Sequence, residues 1–226
     1  MSNKINAFDF DIRKCTPNNY RVSDNPLAHI IENKEVMLKG LQYFCMSCRL
    51  CGLGCELIEG KELDPHVFSN MQADAKYIVV GQNPGLNECI RGIPFIGDSG
   101  KNFDDELEHN GLDRRTFYIT NICKCFTKEN KNPSIYYRNM CSHILKLEIK
   151  IISPTLIITL GGSSFNWFCP DKVYSESLGK ISESEYGKIY AVYHPSPLNL
   201  NHSDKKVEFG KQINLLVKLI KRLEGM

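Results

Sequence analysis

The chain has 226 residues, which is enough for one α/β domain or at most two small ones. Its residues are 42% hydrophobic and 24% charged, a composition typical of a globular protein. No apolar run is long enough to span a membrane and no secretory pattern stands at the N-terminus, so we expect a cytoplasmic protein without a membrane partner. The formal net charge is only +2, so contacts with nucleic acid would have to come from local basic patches.

Predicted strands and helices alternate along most of the chain. Residues 1–34 are polar and irregular and are predicted to form an N-terminal extension, followed by one domain over 35–226. The predicted strands are 76–80, 116–120, 155–160 and 189–193, the last as the second arm of a hairpin over 178–193. The main predicted helices are 35–44, about 100–110, 135–152 and about 205–224. This alternation predicts an α/β fold with three layers, α/β/α, around a mostly parallel four-stranded central sheet.

Glycines and polar residues stand where the predicted strands end. Gly81, Asn121, Gly161 and His194 each follow or close one of the four strands. The carboxyl ends of parallel strands meet at one edge of the sheet, and ligands of open α/β sheets bind at that edge. We therefore expect Asn121 and His194 to lie in one site, together with the loop that follows the first strand.

That loop combines turn residues with polar side chains. It reads GQNPG over residues 81–85, and Pro94-Phe95-Ile96-Gly97 follows. Asn-Pro-Gly is a strong turn signal that an ordinary βα loop could also carry. Phe95 is not expected in the core when it lies on a loop rich in glycine and proline, so we expect its ring to serve the site.

Five of the ten cysteines have the spacing of metal ligands. Cys45, Cys48 and Cys51 form a C-x-x-C-x-x-C run, and Cys125 and Cys141 follow far along the chain. Thiols stay reduced inside cells, so this spacing favours metal binding over a disulfide framework. Four thiolates from two distant segments suit a structural zinc ion or a cubane iron–sulfur cluster. The other cysteines are predicted to be buried thiols, namely Cys15, Cys89, Cys123 and Cys169, with Cys55 undecided.

The motifs and their order resemble those of the uracil-DNA glycosylase superfamily, and in particular its iron–sulfur-containing family four. The resemblance covers about residues 45–197. A glycine-rich family motif resembles residues 81–85, and the family's E-x-x-x-G-x-PF-x-G element matches residues 88–97. Its YITN-x-x-KC motif matches residues 118–125, and its HPS motif matches residues 194–196.

The resemblance implies a 4Fe-4S cluster held by two early and two late cysteines. Cys48, Cys125 and Cys141 match the family's ligands. Both Cys45-x-x-Cys48 and Cys48-x-x-Cys51 fit the family's C-x-x-C-x-L pattern. The fourth ligand is therefore Cys45 or Cys51, with Cys45 preferred.

The resemblance also implies a DNA glycosylase of base excision repair that hydrolyses the N-glycosidic bond of uracil. A flipped uracil would stack on Phe95, and its N3–H and O4 would pair with the amide of Asn121. His194 would donate to uracil O2, Asn83 would hold the attacking water, and Glu88 would assist through its charge. The remaining expected site residues are Gln82, as a catalytic residue, and Gly81, Gly85 and Ser196, which would contact the uracil base.

Three positions of the first motif bear on the range of bases. Gln82 stands where the family usually has Glu, and Asn83 stands where it usually has a small residue. Asn at this position is similar to the mismatch-specific glycosylases of the same superfamily. Gly85 has no side chain that would exclude a 5-methyl group.

Contacts with DNA are expected from residues 195–206. Leu198 or Leu200 is expected to enter the base stack as the base leaves it. The lysines expected to contact phosphate are Lys205 and Lys206 and, on the cysteine-bearing loop, Lys124, Lys128 and Lys131.

Two other function classes use fewer of these features. A non-catalytic nucleic-acid-binding iron–sulfur module would keep the fold without needing Asn83, Asn121 and His194. An electron-transfer iron–sulfur protein would need no base pocket. The polar set at the strand ends therefore favours the glycosylase, acting as a monomer on uracil-containing DNA.

Overall fold

The computed structural model describes residues 33–53, 64–127 and 131–225. The predicted extension over residues 1–34 thus lies almost wholly outside the described residues, as do Cys15, Cys55 and Lys128. Within the described ranges, no helix is long and apolar enough to cross a membrane.

The described residues contain five strands, eight α-helices and one 3-10 helix, Arg114–Thr116. The strands are β1 Tyr77–Gly81, β2 Phe117–Asn121, β3 Leu156–Leu160, β4 Ile181–Ser184 and β5 Gly187–Val192. The helices are α1 Lys34–Met46, α2 Leu86–Arg91, α3 Asp98–His109, α4 Ile135–Ile152, α5 Gly162–Phe168, α6 Tyr174–Ser177, α7 Pro197–Leu200 and α8 Ser203–Glu224. The short helices α2, α6 and α7 were not predicted, because none is long enough to show a clear helical period.

The strands form one sheet in the order β2-β1-β3-β5-β4. β2, β1, β3 and β5 are parallel, with Gly81 opposite Asn121 and Tyr77 opposite both Phe117 and Leu156. β4 pairs antiparallel with β5 as the first arm of the predicted hairpin. The predicted parallel four-stranded sheet is therefore confirmed, with the hairpin arm as a fifth strand at the edge.

Helices cover both faces of the sheet and give the three predicted layers. β1, β2 and β3 are buried along their whole length, as expected for parallel strands between two helical layers. Leu38 of α1 and Ile144 of α4 belong to the apolar cluster on one face. Phe103 and Leu107 of α3, both predicted to point inward, join Phe209 of α8 on the other face.

The connections place a crevice at the carboxyl edge of the sheet. In this strand order, β1 is followed along the chain by its neighbour β2, whereas β3 connects through the hairpin to β5 on its other side. The connections that follow the adjacent strands β1 and β3 therefore lead away from each other. The ends of such neighbouring strands are where ligands of open α/β folds bind. The loops after β1, β2, β3 and β5 all reach this edge.

Candidate active site and cysteine site

A cavity of about 850 Å³ occupies the crevice at the carboxyl edge. This volume is in the usual range of small-molecule sites. It brings together most of the side chains that the sequence predicted: Gln82, Asn83, Gly85, Glu88, Phe95, Asn121, His194 and Ser196. Gly81 lies behind the cavity wall, where a Cβ atom would come within 2.3 Å of the Phe95 ring and 2.4 Å of Asn121 Oδ1. Gly81 therefore makes room for the two residues that face the cavity.

Asn121 presents a buried amide to the cavity. It is the last residue of β2, and its side-chain Oδ1 is buried without a hydrogen-bond partner among the described residues. A buried oxygen of this kind costs free energy, on the order of 1–3 kcal/mol, unless a donor reaches it. The cavity is thus suited to a ligand that carries an N–H or O–H group at this position.

Phe95 is more buried than the sequence suggested. Its side chain is 7% exposed and belongs to an apolar cluster, although its ring also lines the cavity. The expectation that Phe95 lies outside the core is therefore wrong. The loop folds back because Gly100 leaves space for the Phe95 carbonyl, which a Cβ would approach to 1.8 Å. Arg114 holds the same loop by donating to the Phe95 carbonyl at 2.8 Å, and no sequence signal pointed to it.

Glu88 holds two loops of the site together. Its Oε2 accepts from the Gly85 N–H at 3.1 Å. Its Oε1 accepts from the N–H groups of Ile96 and Gly97 at 3.0 and 2.8 Å. The carboxylate is thus bound to backbone amides on both sides, which favours positioning the GQNPG turn and the Phe95 loop over acting directly on a substrate.

His194 lies two residues after the end of β5, against the end of the neighbouring strand β3. Gly161, at the end of β3, has a φ angle of 94°, and a Cβ there would lie 3.0 Å from His194 Cβ. Asn199 and Asn102 hold the chain around the histidine by donating to the carbonyls of His194 and Pro195 at 3.0 and 2.9 Å. Burial lowers the pKa of the His194 imidazole, so the ring is neutral near pH 7.

The candidate cysteine ligands converge from three segments. Cys45 lies in the last turn of α1 and Cys48 just after that helix. Cys125 follows β2, and Cys141 lies on α4, which packs against α1. Burial raises the pKa of the Cys45 and Cys125 thiols, and the other nearby thiols raise it further. Cys51 is also close to Cys48 and Cys141.

The arrangement of these cysteines bears on the choice between one zinc ion and a cluster. A tetrahedral zinc site needs all its ligands within about 2.3 Å of one ion. In a four-iron cluster each thiolate binds a different iron, so the sulfurs are farther apart. The donor set, cysteines from separate segments of which Cys48 is only partly buried, is consistent with an iron–sulfur cluster.

Cys123 and Lys124 contribute to the cysteine site in ways that the sequence did not indicate. Cys89, Cys123 and Cys169 are buried as predicted, but Cys123 also lies beside the candidate ligand Cys141. The neighbouring Cys123 thiol is the main cause of the lowered pKa of Cys141, and the Lys124 N–H donates to Cys141 Sγ at 3.2 Å.

The Lys124 side chain is not available to phosphate. It is 1% exposed, and its Nζ donates to Glu148 at 2.5 Å and to the Asn121 carbonyl at 2.8 Å. The expected DNA contact of Lys124 is therefore wrong, because the buried Glu148 carboxylate needs a cationic partner. Glu148 lies one turn after Ile144 on the buried face of α4, and this position could have indicated a buried partner.

His66 ties the early cysteines to the later ones. The His66 Nε2–H donates to the Cys48 carbonyl at 2.9 Å, and Asp64 hydrogen-bonds the opposite ring nitrogen. The backbone of His66 pairs with that of Cys125. His66 thus holds the Cys48 loop against the segment that carries Cys125.

Comparison with known proteins gives a consistent set of relatives. Residues 68–218 match the sequence model of the uracil DNA glycosylase superfamily. A type-4 uracil-DNA glycosylase of Archaeoglobus fulgidus is 33% identical over 160 residues, which are 67% of this chain and 77% of the relative. Relatives with the same name from Saccharolobus solfataricus and Thermotoga maritima are 31% and 30% identical over 173 and 135 residues. These cover 72% and 58% of this chain and 76% and 70% of the relatives.

Proposed function

The chain belongs to the uracil DNA glycosylase superfamily, and we propose that it excises uracil from DNA by hydrolysing the bond between the base and the deoxyribose. The observation that carries this proposal is the buried Oδ1 of Asn121 beside the Phe95 ring, an oxygen without a hydrogen-bond partner in the described part of the chain. Uracil has an N3–H donor to meet that oxygen and an O4 acceptor for the amide N–H, whereas cytosine has no N3–H in its neutral form. The site thus distinguishes a deaminated base from the normal one.

The target base reaches the cavity by leaving the duplex stack or comes from a single strand. Phe95 then stacks on its face and Asn121 reads its edge. When the bond between N1 and C1′ breaks, its electron pair stays on the base, and the neutral His194 donates to O2 where negative charge develops. A water oxygen bonds to C1′, and the proton that it loses balances the charge of the released base.

Asn83 is proposed to hold that water, with Gln82 beside it at the cavity wall. The Gln82 Nε2 donates to Asn83 Oδ1 at 3.1 Å. Glu88 is proposed to act through the loops that it holds, since its carboxylate is bound to backbone amides. Ser196 and Gly85 contribute to the walls around the base.

We propose that Cys45, Cys48, Cys125 and Cys141 hold a 4Fe-4S cluster. Cys45 is preferred to Cys51 as the fourth ligand because it is fully buried on the face of α1 that packs against the core. When bound, the cluster supplies a covalent link between α1, the loop after β2 and α4. The proposed role is structural, and the chemistry at the base is left to Asn83, Asn121 and His194.

The DNA contact is proposed to follow His194. Leu198 of α7 is 79% exposed at the cavity rim, whereas Leu200 packs against an apolar cluster. We therefore favour Leu198 over Leu200 as the side chain that enters the base stack. Lys206 and Lys131 are exposed and supply positive charge for phosphate contacts. The enzyme is proposed to act as a monomer inside the cell.

The test is a uracil-release assay on single- and double-stranded oligonucleotides that contain one uracil. Release of free uracil with an abasic product is expected, and thymine, hypoxanthine and 5-hydroxymethyluracil in the same sequence define the range of bases. DNA binding without release of any base would support the non-catalytic module instead. A reversible redox couple without base release would support an electron-transfer protein.

A change of the base-reading amide gives the first mutational prediction. Asn121→Asp is expected to slow uracil release about tenfold or more, because a carboxylate cannot donate to uracil O4, and to allow some release of cytosine, whose N4 amine can donate to it. The measurement is single-turnover release from matched uracil and cytosine oligonucleotides. Release of uracil at the unmodified rate would show that Asn121 does not read the base.

A further inference from the structure

The side-chain amide of Asn83 is held by neighbours on both sides. Its Nδ2 donates to the Pro84 carbonyl at 3.1 Å and to Thr127 Oγ1 at 3.2 Å. Its Oδ1 accepts from Gln82 Nε2, which also donates to Asn132 Oδ1 at 2.9 Å. Thr127 and Asn132 both belong to the segment that follows Cys125, so this segment reaches the cavity wall.

These partners fix which way the Asn83 amide points. The Pro84 carbonyl can only accept, so the atom that faces it must be the amide nitrogen. The Thr127 hydroxyl donates its single hydrogen to the Lys131 carbonyl, so toward Asn83 it can only accept. Both contacts therefore require Nδ2 on this side, and the opposite orientation would set acceptor against acceptor.

The fixed orientation determines what Asn83 can offer to a third molecule. Both hydrogens of Nδ2 are used by the Pro84 carbonyl and Thr127, and one lone pair of Oδ1 is used by Gln82. A carbonyl oxygen has two lone pairs, so the remaining capacity is one acceptor position on Oδ1. Toward a water in the cavity, Asn83 is therefore an acceptor, which leaves an oxygen lone pair of that water available for attack.

We propose that Thr127 is a positioning residue for the hydrolytic step and keeps the Asn83 amide in the orientation that accepts from the attacking water. The proposal rests on the proposed function, in which Asn83 holds that water. Thr127 is 5% exposed, so water does not readily replace its hydroxyl as the partner of Nδ2. The same loop carries Cys125, so the cysteine site and the water-holding residue share one structural support.

The test compares Thr127→Val and Thr127→Ser with the unmodified protein. Valine keeps the shape of threonine but removes the acceptor, so we expect single-turnover uracil release to fall about tenfold with DNA affinity unchanged. Serine keeps the hydroxyl and is expected to retain the rate to within about threefold. Thr159→Val is the matched control, since Thr159 is also buried but lies within β3, where its hydroxyl contacts the Tyr190 carbonyl and not Asn83.

A double variant separates positioning from a structural role. If Thr127 acts through Asn83, adding Thr127→Val to Asn83→Ala has no further effect on the rate. Equal rates for Thr127→Val and the unmodified protein would overturn the proposal. So would a double variant whose rate falls below that of Asn83→Ala by the same factor that Thr127→Val causes alone. A fall in melting temperature without a fall in rate would also overturn it. Absence of uracil release from the unmodified protein would instead refute the proposed function.

Discussion

We expect His194→Ala to slow single-turnover uracil release about a hundredfold or more while DNA affinity stays near that of the unmodified protein. The imidazole is held at the carboxyl edge between Gly161 and the stiff Pro195–Pro197 segment, and in the proposed mechanism it donates to the base only as charge develops. An interaction that strengthens in the transition state changes the rate and leaves ground-state binding nearly unaltered. The measurements are single-turnover release and equilibrium binding to the same oligonucleotide.

The pH profile and a second histidine serve as controls for this prediction. Burial lowers the pKa of His194 from its usual value of 6.5, so the ring is neutral above pH 7, and the unmodified rate is expected to stay flat between about pH 8 and 7. His109→Ala, at the exposed end of α3, is expected to change neither rate nor affinity. If His194→Ala lowers both the melting temperature and the DNA affinity, while its folded fraction releases uracil at the normal rate, then the role of His194 is structural. Asn83 would then be the main catalytic candidate.

Cys125→Ser is expected to have the largest effect on the protein as a whole. Protein purified without oxygen should contain about four irons and four sulfides per chain, and the variant should lose most of both. The cluster would join α1, the loop after β2 and α4, so its loss should also lower the melting temperature by about 10 °C or more and reduce solubility. The measurements are iron and sulfide analysis, the visible absorption spectrum and thermal unfolding.

A buried cysteine away from the site provides the control. Cys169 lies at the end of α5 and is as buried as Cys125, so Cys169→Ser measures the cost of burying a hydroxyl in place of a thiol. It should retain the iron content. Zinc in place of iron, or no metal at all in anaerobically purified protein, would contradict the proposed cluster. Separate Cys45→Ser and Cys51→Ser variants would identify the fourth ligand by which one loses iron.

The sequence determined the order of the elements and the edge at which the site lies. Apolar runs between glycines and turn residues identified the parallel strands. β1, β2 and β3 are buried along their whole length, which agrees with this prediction. A strand that is covered on both faces is apolar throughout and does not alternate between apolar and polar residues. Once the strands are parallel, their carboxyl ends must meet at one edge. Asn121 and His194 could therefore be assigned to one cavity from their positions at strand ends alone.

Only the tertiary structure decided how the side chains of the site are used. Glu88 and Lys124 are charged residues in recognisable motifs, but their roles follow from the backbone amides and the buried Glu148 that surround them. Thr127 gains its contact with Asn83 because two loops far apart in the chain meet at the cavity wall. Periodicity and spacing describe neighbours along one segment, whereas hydrogen bonds depend on atoms that separate segments bring within about 3 Å. For that reason the sequence located the cavity, and the three-dimensional contacts supplied the candidates for its positioning residues.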